Sequence, residues 1–173
     1  MDFEAGLSEF EAFQALTSML KKHLSGSQIR RILSFCEHYK EHHTNLFEAI
    51  HIILLANTSS ITAKINMFYV IDGLVKLGAK TAFDGYSKLV ESQLKEIICG
   101  VVDYSRDDTG KTTTNPNANS VKKVLKLWAS RDLVDRHLVE TLLIFLDQCS
   151  PGVFDVSSET ITRIMEDDRD RVC

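Results

Sequence analysis

The chain has 173 residues, of which 44% are hydrophobic and 25% are charged, a composition typical of one globular domain with a sizeable core. Its 20 basic and 24 acidic residues give a formal net charge of −4, which argues against broad electrostatic binding to nucleic acid or to an anionic membrane. The four cysteines form no CxxC pair, the acidic N-terminus is unlike a signal peptide, and the longest apolar run, 49–56, is too short to span a bilayer. We therefore expect a reducing compartment, the cytosol or the nucleus.

Helical periodicity covers most of the chain, and no stretch shows the sustained alternation of a strand. We predict an all-α fold with about eight helices, over residues 8–23, 27–43, 45–57, 61–78, 85–104, 119–130, 135–148 and 157–170. Candidate N-caps precede the first three helices: Ser8 with Glu11 as a capping box, Ser25 or Ser27, and Thr44 or Asn45.

Two segments interrupt this pattern, the polar stretch 105–120 and the stretch 150–158. We therefore predict one domain over residues 1–150, followed over 151–173 by an acidic helix or the start of a linker. The tripeptide "GKT" at 110–112 is not expected to be a phosphate-binding loop, because Ser105 stands where that motif requires glycine.

No catalytic or metal-binding pattern emerges from the sequence. His38 and His42 lie one helical turn apart with Cys36 and His43 nearby, but no second pair of ligands follows at zinc spacing. A Gly-x-Ser-x-Gly motif is also missing. We expect a protein that is not an enzyme and that needs neither a metal nor another cofactor.

Three basic doublets lie near predicted helix ends: Lys21-Lys22, Arg30-Arg31 and Lys122-Lys123. The first suits the end of a helix, where cations are favourable. The other two lie in first turns, where cations are mildly unfavourable unless an anion binds beside them. The turn "SGSQ" at 25–28 offers backbone N–H groups to such an anion.

The predicted fourth helix contains "KINMFYVIDGLVKLG" (64–78), in which Asp72 is the only charged residue between Ile65 and Val75. At 100° per residue, one broad apolar face is formed by Met67, Phe68, Val70, Ile71, Leu74 and Val75. Asp72 falls on the opposite side, together with Ile65, Tyr69, Gly73 and Lys76. One interpretation is an exposed Asp72–Lys76 ion pair. The other is the floor of a groove that receives a peptide.

Three blocks of the sequence resemble the CTD-interacting domain (CID) family, whose members bind the phosphorylated heptad-repeat C-terminal domain (CTD) of RNA polymerase II. "MFYVIDGLVK" (67–76) resembles the fourth-helix signature of the family, and "VKKVLKLWASRDLV" (121–134) resembles a later one. "LKKHLSGSQIRRIL" (20–33) is similar to the Nrd/Seb-type fungal transcription-termination factors. The resemblance covers about residues 8–148.

The resemblance implies about eight helices in a right-handed superhelix, like that of VHS and ENTH domains, with a groove lined by the second, fourth and seventh helices. Asp72 would hydrogen-bond the peptide, Tyr69 and Ile29 would pack on it, and Trp128 would belong to the core. The implied peptide-binding residues are Ile29, Tyr69, Asp72, Gly73 and Leu127. The implied phosphate-binding residues are Lys21, Ser25, Gly26, Arg30, Lys122 and Lys123.

Three positions depart from the family pattern. Gly73 replaces a serine, Lys123 replaces an arginine that reads phosphoserine at the second heptad position, and Gln28 replaces an arginine of the Nrd/Seb branch. Lysine holds a phosphate as a point charge, without the fork of two hydrogen bonds that arginine provides.

The predicted function is that of a nuclear peptide-binding module for the phosphorylated CTD, acting in transcription termination or RNA 3′-end processing. We expect a monomer that does not contact membranes and meets RNA only through other domains, if it has any. The alternatives are a VHS/ENTH-like trafficking adaptor that binds sorting peptides or phosphoinositides, and a scaffold with a degenerate CID groove.

Overall fold

The computed structural model describes residues 6–56, 60–102 and 116–148, and within these ranges every regular element is helical. The elements are α1 (Glu9–Leu20), α2 (Gly26–His38), a 3-10 turn (Lys40–His42), α3 (His43–Leu55), α4 (Ile61–Lys80), α5 (Gly85–Val101), α6 (Asn117–Ser130) and α7 (Arg136–Gln148). The prediction of an all-α fold is confirmed. The helix predicted over 157–170 lies outside the described residues.

The predicted capping box opens α1. The Glu11 amide donates to Ser8 Oγ at 3.2 Å, and the Ser8 amide donates to Glu11 Oε1 at 3.2 Å. The hydrogen bonds to Ser8 stabilise the charged carboxylate of Glu11 and therefore lower its pKa. For α2, the cap is Ser25, whose hydroxyl accepts from the Gln28 amide.

The cap predicted for α3 at Thr44 or Asn45 is wrong. The 3-10 turn runs directly into α3, whose first residue is His43, and the preceding His42 makes no side-chain capping bond. Asn45 is therefore already helical, and its side-chain amide donates to the carboxylate of Glu9 instead.

The chain divides into two compact units, and the first ends at Val101. In it, α4 packs along α5, α3 packs against α1 and α5, and α2 packs against α1 and α4. The six residues of α4 predicted to form its apolar face are all buried: Met67, Phe68, Val70, Ile71, Leu74 and Val75. This prediction succeeded because the 3.6-residue period alone determines which residues share a face.

The second unit begins at Val102, and its described helices are α6 and α7, which pack against each other. Trp128 of α6 is completely buried, which confirms its predicted place in the core. The division after Val101 falls inside the single domain predicted over residues 1–150, and that domain boundary stays a prediction.

Candidate functional site

The face of α4 opposite its core contains the predicted peptide-binding residues Tyr69 and Asp72. Tyr69 is 38% exposed, whereas the side chain of Asp72 is 14% exposed. Lys76 donates from Nζ to Asp72 Oδ2 at 2.9 Å, one turn further along the helix. The ion pair of the first interpretation is therefore present, and a peptide that used Asp72 would compete with Lys76.

Gly73 allows α2 to approach α4 closely. A Cβ atom at this position would lie 2.7 Å from Leu33 Cδ2 and 3.1 Å from Leu33 Cγ, so a larger residue requires Leu33 to move. The serine that CID sequences carry here would meet the same side chain. A glycine inside a helix is a general signal of close approach, but residue type and spacing do not identify Leu33 as the neighbour.

Two proximities indicate that α2 and α4 run in the same direction. Leu24, two residues before α2, and the first-turn residue Ala63 of α4 line a common cleft, while Leu33 and Gly73 meet further along. Ile29 precedes Leu33 by one turn, as Tyr69 precedes Gly73 by one turn. Because a turn rises 5.4 Å in both helices, Ile29 and Tyr69 lie at a similar height along α2 and α4.

The beginning of α2 brings three of the predicted phosphate-binding residues together. Ser25 Oγ accepts from the Gln28 amide at 3.2 Å and lies 3.0 Å from Ser27 Oγ. The guanidinium of Arg30 lies over Gly26, within 3.6 Å of where a Cβ of that glycine would be. Arg30 is exposed and forms no ion pair with any residue that the structure describes. This guanidinium is therefore available to an anion.

Gln28, which stands where the Nrd/Seb branch has arginine, is engaged within the protein. Its side-chain amide donates to the Met19 carbonyl at 3.0 Å and so ties the start of α2 to the end of α1. Lys21, also predicted to bind phosphate, lines a cleft with residues of α3 and α4. Arg30 is not among the described residues that line this cleft.

The remaining predicted residues lie in the second unit. Lys122 Nζ lies 2.8 Å from Asp147 Oδ1, and the lysine side chain is only 17% exposed. Lys123 is exposed and makes no ion pair within the described part of the chain. Leu127 is half-buried, and its carbonyl accepts from Ser130 Oγ at 2.9 Å. A phosphate could reach Lys123 freely, whereas at Lys122 it would have to compete with Asp147.

The histidines near the end of α2 are engaged in aromatic packing. The His38 ring meets Tyr39 edge to face with centroids 4.6 Å apart, and His43 meets Phe83 in the same way at 5.1 Å. Across residues 6–56, 60–102 and 116–148, no three His, Cys, Asp or Glu side chains cluster as metal ligands. Over the same ranges no helix combines the length and the apolar character that crossing a membrane requires.

Comparison with known proteins assigns the chain to a family. The model of a family described as CTD kinase subunit gamma CTK3 matches residues 7–135. A solved structure described as a non-canonical CID of Ctk3 superimposes with a TM-score of 0.67 at 18% sequence identity, covering 82% of this chain and 96% of the other. No curated protein matches the chain significantly. The structural match confirms a CID-like fold, and since the family model spans well over half of the sequence, the chain belongs to the CTK3 family of CTD kinase gamma subunits.

Proposed function

We propose that this chain is a binding module for the heptad-repeat CTD of RNA polymerase II and that it serves a nuclear CTD kinase. The main support is the face of α4, where Tyr69 and Asp72 match the residues that CID proteins place in their groove. The match to a family of CTD kinase subunits supports the same substrate class. In this role the module holds the repeats while another subunit modifies them, so the module itself needs no catalytic residues.

In the proposed binding mode, the peptide lies along the faces of α2 and α4 that carry Ile29 and Tyr69. Tyr69 is already 38% exposed, so it can pack on an apolar side chain of the peptide without rearrangement. A peptide N–H or hydroxyl donates to the Asp72 carboxylate and replaces the ammonium of Lys76. At one end of this surface the Leu33 side chain of α2 packs on Gly73 of α4.

Phosphate recognition is proposed at two places. Arg30, with Ser25 and Gly26 beside it, takes a phosphate at the fifth heptad position. Lys123 takes a phosphate at the second position as a point charge. Lys122 contributes less than the sequence suggested, because Asp147 already neutralises it.

A role in transcription termination or RNA 3′-end processing is the second candidate. It rests on the likeness of residues 20–33 to the Nrd/Seb-type factors. The family match favours the kinase role, and the engagement of Gln28 with Met19 further weakens the analogy with the arginine of that branch.

The proposal is tested by titrating the protein with fluorescent two-repeat heptad peptides that are unphosphorylated, phosphorylated at the second serine, or phosphorylated at the fifth serine. Asp72→Asn should weaken binding several-fold. Asp84→Asn is the matched control, because Asp84 forms an equivalent i,i+4 pair with Lys88 away from the proposed surface. Lys76→Met should preserve or strengthen binding, since it removes the ammonium that competes with the peptide for the Asp72 carboxylate. Equal losses in Asp72→Asn and Asp84→Asn would refute the assigned surface.

Charge reversal tests the two phosphate positions separately. Arg30→Glu should weaken binding mainly to the peptide phosphorylated at the fifth position, with Arg31→Glu as the neighbouring control. Lys123→Glu should act mainly on the peptide phosphorylated at the second position, with Lys126→Glu as its control. Each specific loss should be on the order of 1–3 kcal/mol for a charge-assisted contact. Identical losses for both peptides would show that these charges act only as a general field.

Two further outcomes would redirect the proposal. Pelleting with vesicles containing phosphoinositides, without heptad binding, would favour the trafficking adaptor. Failure to bind either heptad peptides or vesicles would favour a scaffold with a degenerate groove. The kinase and termination roles separate by copurification, because only the first predicts a stable complex with kinase subunits.

A further inference from the structure

A cleft of about 690 Å³ opens between the end of α1, the end of α3 and the start of α4. This volume lies within the range of protein sites for drug-sized ligands, roughly 300–1,000 Å³. The described residues that line it all belong to the first compact unit and lie at the end of α1, in the segment before α2, at the end of α3 and at the start of α4.

The cleft lies on the side of α4 away from Asp72, although its residue Asn66 is only one turn from Tyr69 of the proposed CTD-binding surface. At 100° per residue, Ala63 lies about 180° around the helix from Asp72, and Asn66 lies about 120° from it. Met67, which also lines the cleft, belongs to the buried face of α4. A ligand in the cleft would therefore approach α4 from a different side than a peptide that binds Asp72.

The cleft has an apolar interior and an exposed aliphatic edge. Leu20, Leu24 and Met67 are buried beneath it, and Ile52 at its edge is 55% exposed. Ile61, at the start of α4, is another large aliphatic residue that faces solvent. Exposed aliphatic side chains that border an apolar recess are typical of surfaces that bind another protein.

The rim of the cleft is basic although the whole chain is acidic. Lys21, Lys22 and His23 follow one another along it, and no aspartate or glutamate lies among the described residues of the lining. Both lysines are exposed, and neither forms an ion pair with a residue of the described ranges. This local excess of positive charge contrasts with the formal net charge of −4 of the whole chain.

One polar side chain of the lining is available for hydrogen bonding. Asn66 is half-buried on the α4 wall, and its amide makes no hydrogen bond to any other described residue. By contrast, the hydroxyls of Thr17 and Ser60 are bonded within the protein, to the Phe13 carbonyl and the Ala63 amide. An amide carries both donors and an acceptor, so Asn66 can bind a peptide backbone inside the cleft.

We propose that this cleft binds an acidic, unphosphorylated segment of a partner protein, which inserts large aliphatic side chains between α1 and α4 and places its carboxylates beside Lys21 and Lys22. The described part of the lining contains no arginine to form paired hydrogen bonds with a phosphate, so the rim offers only the point charges of its lysines, which carboxylates can satisfy. The site is distinct from the proposed CTD surface and would hold the module in a complex while that surface remains accessible.

The test uses the ¹⁵N-labelled full chain and three short synthetic peptides: DELLDELLDE, its basic counterpart KKLLKKLLKK, and DESSDESSDE, which lacks the aliphatic side chains. We expect the first peptide to shift the amide signals of Leu24, Ile53 and Ala63 and to leave those of Tyr69 and Gly73 unchanged. The other two peptides should produce no comparable shifts at these positions. Equal shifts with the basic or the serine peptide, or no shift in the cleft at millimolar concentration, would overturn the proposal.

Two variants with matched controls test the contacts. Lys22→Glu should weaken binding of the first peptide by roughly tenfold, whereas Lys80→Glu, an exposed lysine at the end of α4, should not. Ile52→Asp should weaken it as well, whereas Ile144→Asp, at a position 57% exposed in the second unit, should not. Equal effects within either pair would count against the site.

Heptad-peptide titrations of the same variants separate this proposal from the CTD-binding function. If the cleft is a second site, Lys22→Glu and Ile52→Asp bind the heptad peptides as the wild type does. If both variants lose heptad binding but retain DELLDELLDE binding, the cleft belongs to the CTD site and the present proposal fails. A failure of heptad binding in the wild type would leave the result with DELLDELLDE intact.

Discussion

Substitution of Gly73 tests how closely α2 and α4 pack at the proposed binding surface. Alanine inside a helix is more stable than glycine by roughly 0.5–1 kcal/mol, so an unobstructed Gly73→Ala change would stabilise the protein. In this structure the new Cβ meets three carbon atoms of Leu33 within 3.1 Å, and overpacking of this kind typically costs about 1–3 kcal/mol. Subtracting the gain from the overpacking cost leaves a net loss of unfolding free energy of roughly 0–2.5 kcal/mol.

We expect a value of about 1 kcal/mol, in the lower half of this range, because Leu33 is only half-buried and the ends of its side chain can rotate away. For a chain of this length the melting temperature should fall by about 2–4 °C. Thermal and urea denaturation followed by circular dichroism measure this change directly.

The matched experiment repeats the substitution in a Leu33→Ala background. There the new methyl group no longer meets a side chain, so Gly73→Ala should raise the stability by roughly 0.5–1 kcal/mol. The sign of the effect should therefore reverse between the two backgrounds. Stabilisation of similar size in both would show that Leu33 does not lie over Gly73, and the packing of α2 on α4 described here would be incorrect.

Three other predictions concern groups away from this contact. Tyr86→Phe should destabilise the fold by about 1–3 kcal/mol in urea denaturation, because the Tyr86 hydroxyl donates to the buried Cys36 carbonyl at 2.7 Å. Burial raises the pKa of the Cys36 thiol from 9.0 to about 12, so the contribution of this thiol to stability should be fully present below pH 9 and be lost as the pH rises towards 12. In a variant whose only cysteine is Cys36, iodoacetamide should react at pH 8 far more slowly with the folded than with the unfolded protein. Equal rates would contradict the burial. Lys122→Met should lower the melting temperature more than Lys123→Met, because only Lys122 has an ion-pair partner among the described residues, and equal effects would count against that pair.

The sequence predicted the local and periodic features well. The capping box at Ser8 and the buried face of α4 depend on residues within a few positions of one another, and both are present. In such cases the spacing of residues contains the information that the structure uses.

The features that the sequence could not predict join distant residues. Lys122 is predicted to bind phosphate, because nothing in the sequence places Asp147 beside it. From the sequence, Gln28 is only a position where the arginine of the Nrd/Seb branch is missing, whereas in the structure its side-chain amide donates to the Met19 carbonyl. Tertiary packing decides such partners, so residue type and spacing alone leave them open.

The cap predicted for α3 was wrong for a local reason. A cap residue normally has an extended backbone, and Thr44 and Asn45 have suitable side chains. The 3-10 turn before α3 occupies the place where that extended residue would stand, so the helix begins earlier at His43. A turn that leads directly into a helix leaves no residue for a side-chain cap.

The two interpretations of Asp72 are compatible in energetic terms. The Asp72–Lys76 ion pair lies at the surface, with the lysine side chain 35% exposed, and i,i+4 pairs of this kind contribute only about 0.3–0.5 kcal/mol. A hydrogen bond from a ligand to a charged group is worth more, about 1.5–3 kcal/mol. A peptide can therefore displace Lys76 at little cost, and until it binds, the lysine holds the half-buried carboxylate in the orientation that the proposed function requires.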